Sequence, residues 1–504
     1  MTGVKNHDKV GSWAHHLPAL FLPVWLDLLN VALTTTENCL VSIAVAVALL
    51  LLVLALRWVL QRCLFHVTQG LLYGLFAFLL VGLTVLQLFV GWKLMAQPDG
   101  TLAVLHNGAL QWCQQGSVDT STLNLLTTGQ RIWLVVLARI YQWIQGWMGR
   151  VPLFAGVCLN TLAVDLSACL LFFICKRLWN LKIALLAGIV SAVFLPYYLT
   201  STVFSLDLAV MPLVLGAVAL LTCRKTGNTP WSHGQCFAGG WLLGIAVCLK
   251  GSGLVVLAVL ICYLGLHRRE GRSIGICLAG AFLSMVLLVW MTQGMLYSRE
   301  TPLGDKDPPL GIYLLAGLQE DGLENETVSN ILELPTQQEQ SQAAEIAIRE
   351  RLEELGGTGL IRYWTEKSVR LWGDGTYSHQ DSRGEMIYPG LLPQFVMVNG
   401  IYYPAVEYLC QGMQIAMLFL MWVSLAWGVR RPSWNLLGSL RVGLAGIFLF
   451  SILGPSQARD LLTYVPLFFL LALDGLNVLC RISWGRLGRT LCTGEGEWLQ
   501  PRKP

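Results

Sequence analysis

SIGICLAGAFLSMVLLVWMTQ, residues 273–293, has no charged side chain, and after Gly294 the chain turns into a polar block that runs to Leu409. An α-helix needs about 20 apolar residues to cross a bilayer, so the first stretch reads as a membrane span. The block after it holds 8 Lys+Arg against 18 Asp+Glu, a net charge of −10, whereas the remainder carries +14. Membrane helices interrupted by one large acidic domain are the simplest physical reading.

Working outward, comparable runs recur near 18–34, 39–60, 70–92, 151–175, 181–199, 203–222, 237–249, 251–266, 410–428, 436–453 and 460–480. The expectation is an all-α polytopic membrane protein with about 12 transmembrane helices. Bulk composition agrees: 504 residues, 55% hydrophobic and only 13% charged, against about 25% charged in soluble domains. The mean hydropathy is +0.59.

The basic residues report orientation. Lys176, Arg177, Lys182, Arg224, Lys225, Arg268, Arg269, Arg272, Arg430, Arg431, Arg481, Arg486 and Arg489 all fall on one side under this span order. Short loops rich in Lys and Arg are cytoplasmic, which puts both termini there and residues 93–150 and 294–409 outside the cell membrane. Cations scattered over loops are not a nucleic-acid footprint, so no nucleic-acid partner is expected. None of the 14 cysteines lies in the acidic block and none forms a CxxC pair, which argues against a disulfide framework or a thiolate zinc site. The N-terminus is polar through His16, and the run after it is interrupted by Asp27 and lacks a small-residue cleavage site, so no cleaved signal peptide is expected.

Five regions follow: residues 1–66 with an appended helical pair, a membrane core at 67–293 containing the loop 93–150, the acidic domain 294–409, C-terminal helices at 410–480, and a basic tail at 481–504. No internal repeat is evident, which counts against many transporter folds. In the loop, Leu102, Leu105, Ala109 and Trp112 follow helical spacing, as do Trp133, Leu137, Ile140, Ile144 and Trp147. Both read as helices too short or too polar to span, and the second, with Arg139, Gln142 and Gln145 among its aromatics, fits the interface plane better than the alternative of a buried membrane helix. In the acidic domain, Thr336–Leu355 reads as a soluble helix with Glu345 and Arg349 four apart, ended by Gly356-Gly357.

Asp99, in Gln97-Pro98-Asp99-Gly100, sits just past the span 70–92. A carboxylate there can take a proton from a hydroxyl near a lipid headgroup, although Pro-Asp-Gly is also ordinary turn chemistry. Lys250 interrupts an apolar run, where it can meet a phosphate or snorkel to the surface. Arg459 precedes the last span and can pair with phosphate bidentately or anchor a headgroup. Asp207 begins a helix, as a cap or a second acidic group. Asp165 and Asp474 read as hydrogen-bonded carboxylates joining helices. Asp305-Lys306-Asp307 has metal-binding spacing but lacks the surrounding α/β alternation, and His15, His16 and His379 have no partner at ligand spacing.

In order, these stretches resemble the GT-C superfamily of polyprenyl-phosphate-sugar-dependent glycosyltransferases, particularly the mannosyltransferase-like type of bacterial envelopes. The resemblance rests on Asp99 with the helices at 102–114 and 131–148, on Ser205–Pro212, on Gly240–Gly253 around Lys250, on Trp372-Gly373-Asp374-Gly375-Thr376-Tyr377 and on Gln457-Ala458-Arg459. Gln457 stands where an acidic residue is common. Asp99 is also spaced far from Val104-Leu105-His106-Asn107, which leaves Asp119 as a fallback. The resemblance implies a GT-C-like fold and transfer of a sugar from a polyprenyl-phosphate donor to an envelope glycan, lipid or protein acceptor. Asp99 would be the general base, Lys250 and Arg459 would hold the lipid phosphate, and Asp207, His106, Trp372, Asp374 and Tyr377 would assist or contact the acceptor. No cofactor is certain, and a divalent cation is left open. A lipid-linked glycan ligase or polymerase, a lipid or solute transporter, and a membrane scaffold are the rival readings.

Overall fold

The computed structural model describes residues 39–62, 67–119, 122–123, 126–149, 153–202, 204–222, 233–265, 271–296, 308–319, 325–380, 383–431 and 435–491, with Leu22, Val24, Trp25, Leu29 and Ala32. Most of the expected span 18–34, the Asp305-Lys306-Asp307 triplet, His15 and His16 lie outside the described residues.

The order begins with α1 (Cys39–Arg62) and α2 (Gln69–Lys93), then β1 (Ala96–Pro98), α3 (Gly100–Gln115) and α4 (Thr128–Met148). Helices α5 (Phe154–Leu178), α6 (Leu181–Val193), α7 (Leu195–Thr200), α8 (Leu206–Thr222), α9 (His233–Leu249), α10 (Gly253–Tyr263) and α11 (Gly271–Leu296) complete the first half. The acidic domain supplies α12 (Leu310–Gly317), α13 (Glu326–Leu332), α14 (Gln337–Trp372), β2 (Arg383–Met386) and a short turn at Leu392–Phe395. The chain closes with α15 (Tyr403–Arg430), α16 (Leu436–Leu453), a 3-10 turn (Ala458–Tyr464) and α17 (Val465–Leu491).

Seven helical segments among the described residues are long and apolar enough to cross a membrane: α1, α2, α5, α11, α15, α16 and Ala458–Arg481. Four more, α6, α8, α9 and α10, are apolar but shorter. The expected run 181–199 is not one helix. It breaks at Phe194, whose extended backbone precedes Pro196 in the first turn of α7, because the residue two ahead cannot donate to a continuing ladder.

Packing is organised around α17, which lies against α15, while α15 also packs on α1. Helix α9 runs along α11. The glycines there serve this contact: a Cβ at Gly240 or Gly244 would collide with the α11 backbone at Cys277 or Ala281. Asp474 accepts hydrogen bonds from Ser424 and Arg441, both at 2.6 Å, and Asp165 accepts from Thr84 at 2.6 Å. Both carboxylates therefore join helices, as expected.

In the loop 93–150 both helices form. The amphipathic α4 buries Ile132, Leu134 and Leu137 and leaves Trp143 and Trp147 stacked and exposed, the arrangement of an interfacial helix. In the acidic domain, Thr336 and Glu339 form a capping box at the start of α14, and Glu345 pairs with Arg349 at 2.6 Å. Gly356, at φ 57° and ψ −178°, leaves the helical conformation and ends the first helical arm where the glycine pair was expected to, and a second arm continues to Trp372. On that arm, Lys367 donates to the carbonyls of Gly317 (2.6 Å) and Gly454 (2.7 Å), tying the acidic domain to the end of α16. A two-strand antiparallel ladder, Ala96 opposite Met386 and Pro98 opposite Arg383, fastens the domain to the first loop. This pairing is absent from an all-α expectation because both strands are too short to show alternation.

Candidate active site

Helix ends and loops from six parts of the chain meet around one pocket of ≈ 200 Å³. Thr101, Leu102 and Leu105 enter from α3, Thr127 and Gln130 from the start of α4, and Leu199, Thr200, Thr202, Ser205, Leu206 and Asp207 from the α7–α8 junction. Leu249 and Lys250 come from the break after α9, Ser378 and His379 from the segment after α14, and Arg459 and Asp460 from the turn before α17. Gly129 permits the close approach of two of these walls. A Cβ there would stand 2.7 Å from the carbonyl oxygens of Cys248 and Leu249.

The charged centre is Lys250. Its ammonium bonds the Asp207 carboxylate, and it lies 3.1 Å from Asp460 Oδ1, 3.0 Å from the Asp460 carbonyl and 3.3 Å from Thr463 Oγ1. An ammonium has three protons, and these oxygens engage them all. Thr463 in turn donates to the Asp207 carbonyl at 3.1 Å, which closes a ring of contacts between α8, the α9–α10 break and the final turn. Asp207 is thus an ion-pair partner rather than a helix cap, and Lys250 neither snorkels nor stands free.

Asp460 is the residue that sequence reasoning missed. Its Oδ2 accepts from the Gln457 backbone at 2.8 Å, and Gln457 with Asp460 forms a reciprocal cap on the 3-10 turn. The polar residue at Gln457 followed three positions later by a carboxylate is a capping pattern that could have signalled it. Between them, Arg459 is half-buried, lines the pocket and makes no hydrogen bond or ion pair among the described residues.

Asp99 caps α3, accepting from Gly100 N at 2.7 Å, and is exposed. It stands at the rim, two residues before Thr101, and does not itself line the pocket. Asp119 is also exposed and outside the lining. His106 turns away from the pocket to meet Tyr141 Oη at 2.8 Å, and burial lowers its pKa.

Trp372, Asp374 and Tyr377 lie behind the pocket wall. Trp372 is fully buried, donates to Ser451 at 3.1 Å and packs against Trp25. Tyr377 donates to Gln414 at 2.8 Å. Asp374 Oδ1 accepts from the backbone (2.7 Å) and hydroxyl (2.6 Å) of Thr376, and Oδ2 from the backbone of Ser378 at 2.6 Å. These bonds hold Tyr377 and Ser378 at φ 56° and 46°, a left-handed pair disfavoured for side chains with a Cβ. The result is presentation of Ser378 and His379 to the pocket. His379 Nε2 donates to the Val396 carbonyl at 3.3 Å. Burial pushes its pKa down to about 3, and neighbouring Arg383 adds to the shift. Arg383 is itself pushed down to about 10 by burial and donates to Leu199 O at 2.6 Å and Thr202 Oγ1 at 2.7 Å.

No group of three or more His, Cys, Asp or Glu among the described residues could hold a metal ion. The two pocket carboxylates are both engaged by Lys250.

No family model matches the sequence, and no curated protein matches it. Among solved structures, the chain is similar to ArnT from Cupriavidus metallidurans bound to undecaprenyl phosphate, at 14% identity and TM-score 0.35, covering 82% of this chain and 81% of that one. It is also similar to the archaeal oligosaccharyltransferase AglB from Archaeoglobus fulgidus, in complex with an inhibitory peptide and a dolichol-phosphate. There the identity is 10%, the TM-score 0.38, and coverage 82% of this chain and 52% of that one. A second Archaeoglobus fulgidus oligosaccharyltransferase structure, with Zn and sulfate, gives 10% and 0.40, with 81% of this chain and 50% of that one covered. The chain spans about half the length of the oligosaccharyltransferases. Likeness at these scores assigns no activity.

Proposed function

We propose that this protein is an inverting glycosyltransferase of the cell membrane, moving one sugar from a polyprenyl-phosphate carrier to an envelope acceptor on the outer face. Both termini are then cytoplasmic and residues 294–409 external. The observation that carries this reading is Arg459, a half-buried cation that makes no hydrogen bond or ion pair among the described residues, has the Lys250-bound Asp460 as its electrostatic neighbour, and lines a pocket walled by leucines, hydroxyl and amide groups, His379 and the Lys250 ion pairs. A guanidinium in a partly desolvated site holds a departing phosphate well.

In the reaction, the acceptor hydroxyl attacks the anomeric carbon, the bond to the carrier phosphate breaks, and the phosphate leaves with the bonding electrons toward Arg459. The hydroxyl proton passes to a carboxylate at the pocket entrance, where Asp99 is the exposed candidate and is not already held by a lysine. Lys250 is better placed to hold Asp207 and Asp460 than to meet the phosphate itself. The pocket volume, below the about 300–1,000 Å³ usual for small-molecule sites, suits a single sugar better than the preassembled chain of a ligase.

Comparison of envelope glycans in a deletion strain with those in strains carrying Asp99→Asn or Arg459→Ala tests the reading. Loss of the same sugar in all three supports it. A deletion strain whose glycans and lipid-linked sugars are unchanged sinks it.

A further inference from the structure

We infer that Met386–Val406 forms a loop seated in the lipid interface, a membrane-contacting surface separate from the spanning helices. The external block carries 18 acidic residues, yet not one charged side chain occurs between Glu385 and Glu407. The segment is apolar on two sides. Leu392, Phe395 and Val396 turn inward onto a cluster with Leu94, Leu199 and Val406, at the ends of α2 and α7 and the start of α15. Leu391, Val398 and Ile401 point outward and are 67%, 60% and 78% exposed.

Exposed apolar side chains on a soluble domain are common singly, but a cluster of them calls for a partner. Continuity identifies the partner here as lipid. Tyr388 meets Trp92 edge to face with ring centroids 6.2 Å apart, and Trp92 is the exposed aromatic at the end of span α2, below which Phe89 and Val85 are also exposed. At its other end the segment runs directly into span α15. It therefore prolongs the lipid-facing surface of α2 and α15 at the level where Trp and Tyr favour the headgroup boundary. A turn with internal bonds also meets the requirement that backbone groups be satisfied at that depth: Val396 N and Met397 N donate to Pro393 O at 3.0 and 2.9 Å, and Tyr402 N to Gln394 O at 3.2 Å. The inward face touches the pocket, because the Val396 carbonyl accepts from both His379 and Gln380.

The test places a diazirine-bearing amino acid singly at Val398 or Ile401 of the full chain in nanodiscs of phosphatidylethanolamine and phosphatidylglycerol, followed by mass spectrometry of the photoadducts. Phe282, 69% exposed on span α11, and Ile346, 58% exposed on α14, are the reference positions. Substitution at these exposed sites leaves the core intact. Lipid adducts at 398 and 401 are expected at the yield of position 282 and about tenfold above position 346. Yields as low as those at 346, or adducts mainly to protein, whether a second copy or another chain, overturn the inference. Neither outcome depends on glycosyl transfer, so its failure is distinguishable from failure of the proposed activity.

Discussion

Lys250 and Asp460 meet twice: the ammonium lies 3.1 Å from the carboxylate and 3.0 Å from the backbone carbonyl of the same residue. Together with Asp207, this contact fixes the turn before α17 and therefore the direction in which Arg459 points. Lys250→Met leaves two carboxylates facing each other with side chains 10% and 31% exposed. Loss of one partner of such a buried pair is expected to destabilise by about 3–5 kcal/mol. Thermal unfolding in detergent should show a large drop for Lys250→Met and partial recovery in Lys250→Met/Asp207→Asn. Equal melting of the single variant and the parent would mean that the cluster does not hold the turn.

Arg459→Ala has the opposite profile. Because the guanidinium makes no hydrogen bond or ion pair among the described residues, stability is expected to change by less than about 0.5 kcal/mol. Transfer should fall by about 10²–10³-fold, as when a preorganised donor is removed from a developing charge. Binding of polyprenyl phosphate should weaken in parallel, with Arg459→Lys recovering part of it. Unaltered affinity for the lipid phosphate in the Ala variant would remove Arg459 from that role.

Under the proposed activity Asp374 is expected to position the Ser378–His379 segment rather than to react, which kinetics can test. Asp374→Ala removes the acceptors that hold the left-handed pair at Tyr377 and Ser378, a loss of about 1–3 kcal/mol. Displacement of Ser378 and His379 is expected to raise KM more than it lowers kcat. Asp374→Asn, which keeps one acceptor oxygen, should fall between the two. A pure loss of kcat at unchanged KM would instead put Asp374 at the reacting atoms.

The sequence disclosed what periodicity and charge can carry. Apolar windows located the seven long apolar helical segments among the described residues, and the acid-rich block with a helix beginning at Thr336 was visible without coordinates. Order along the chain brought Asp207, Lys250 and Arg459 to one set of helix ends, and the structure joins them in one pocket. Pairing was not legible: Lys250 could meet a phosphate or snorkel to the surface, and only the fold places it between Asp207 and Asp460. Trp372, Asp374 and Tyr377 were recognisable as a motif, but their burial behind the wall depends on Gln411, Gln414 and Ser451, far along the chain.

His379 gives a dependence on pH whose sign follows from burial. Its pKa is pushed to about 3 first by burial and then by Arg383, with the Val396 carbonyl opposing, and the Tyr403 ring lies 6.3 Å away. The unfolded chain, with an ordinary histidine near 6.5, binds a proton across that interval while the folded state does not. The contribution is therefore unchanged above pH 6.5 and is lost progressively as pH falls toward 3, on the order of a few kcal/mol in all. Thermal unfolding between pH 7.5 and 4.5 should show a steeper loss for the parent than for His379→Gln, which cannot take up the proton. Parallel slopes for the two proteins would show that His379 titrates freely and is not sealed against the pocket wall.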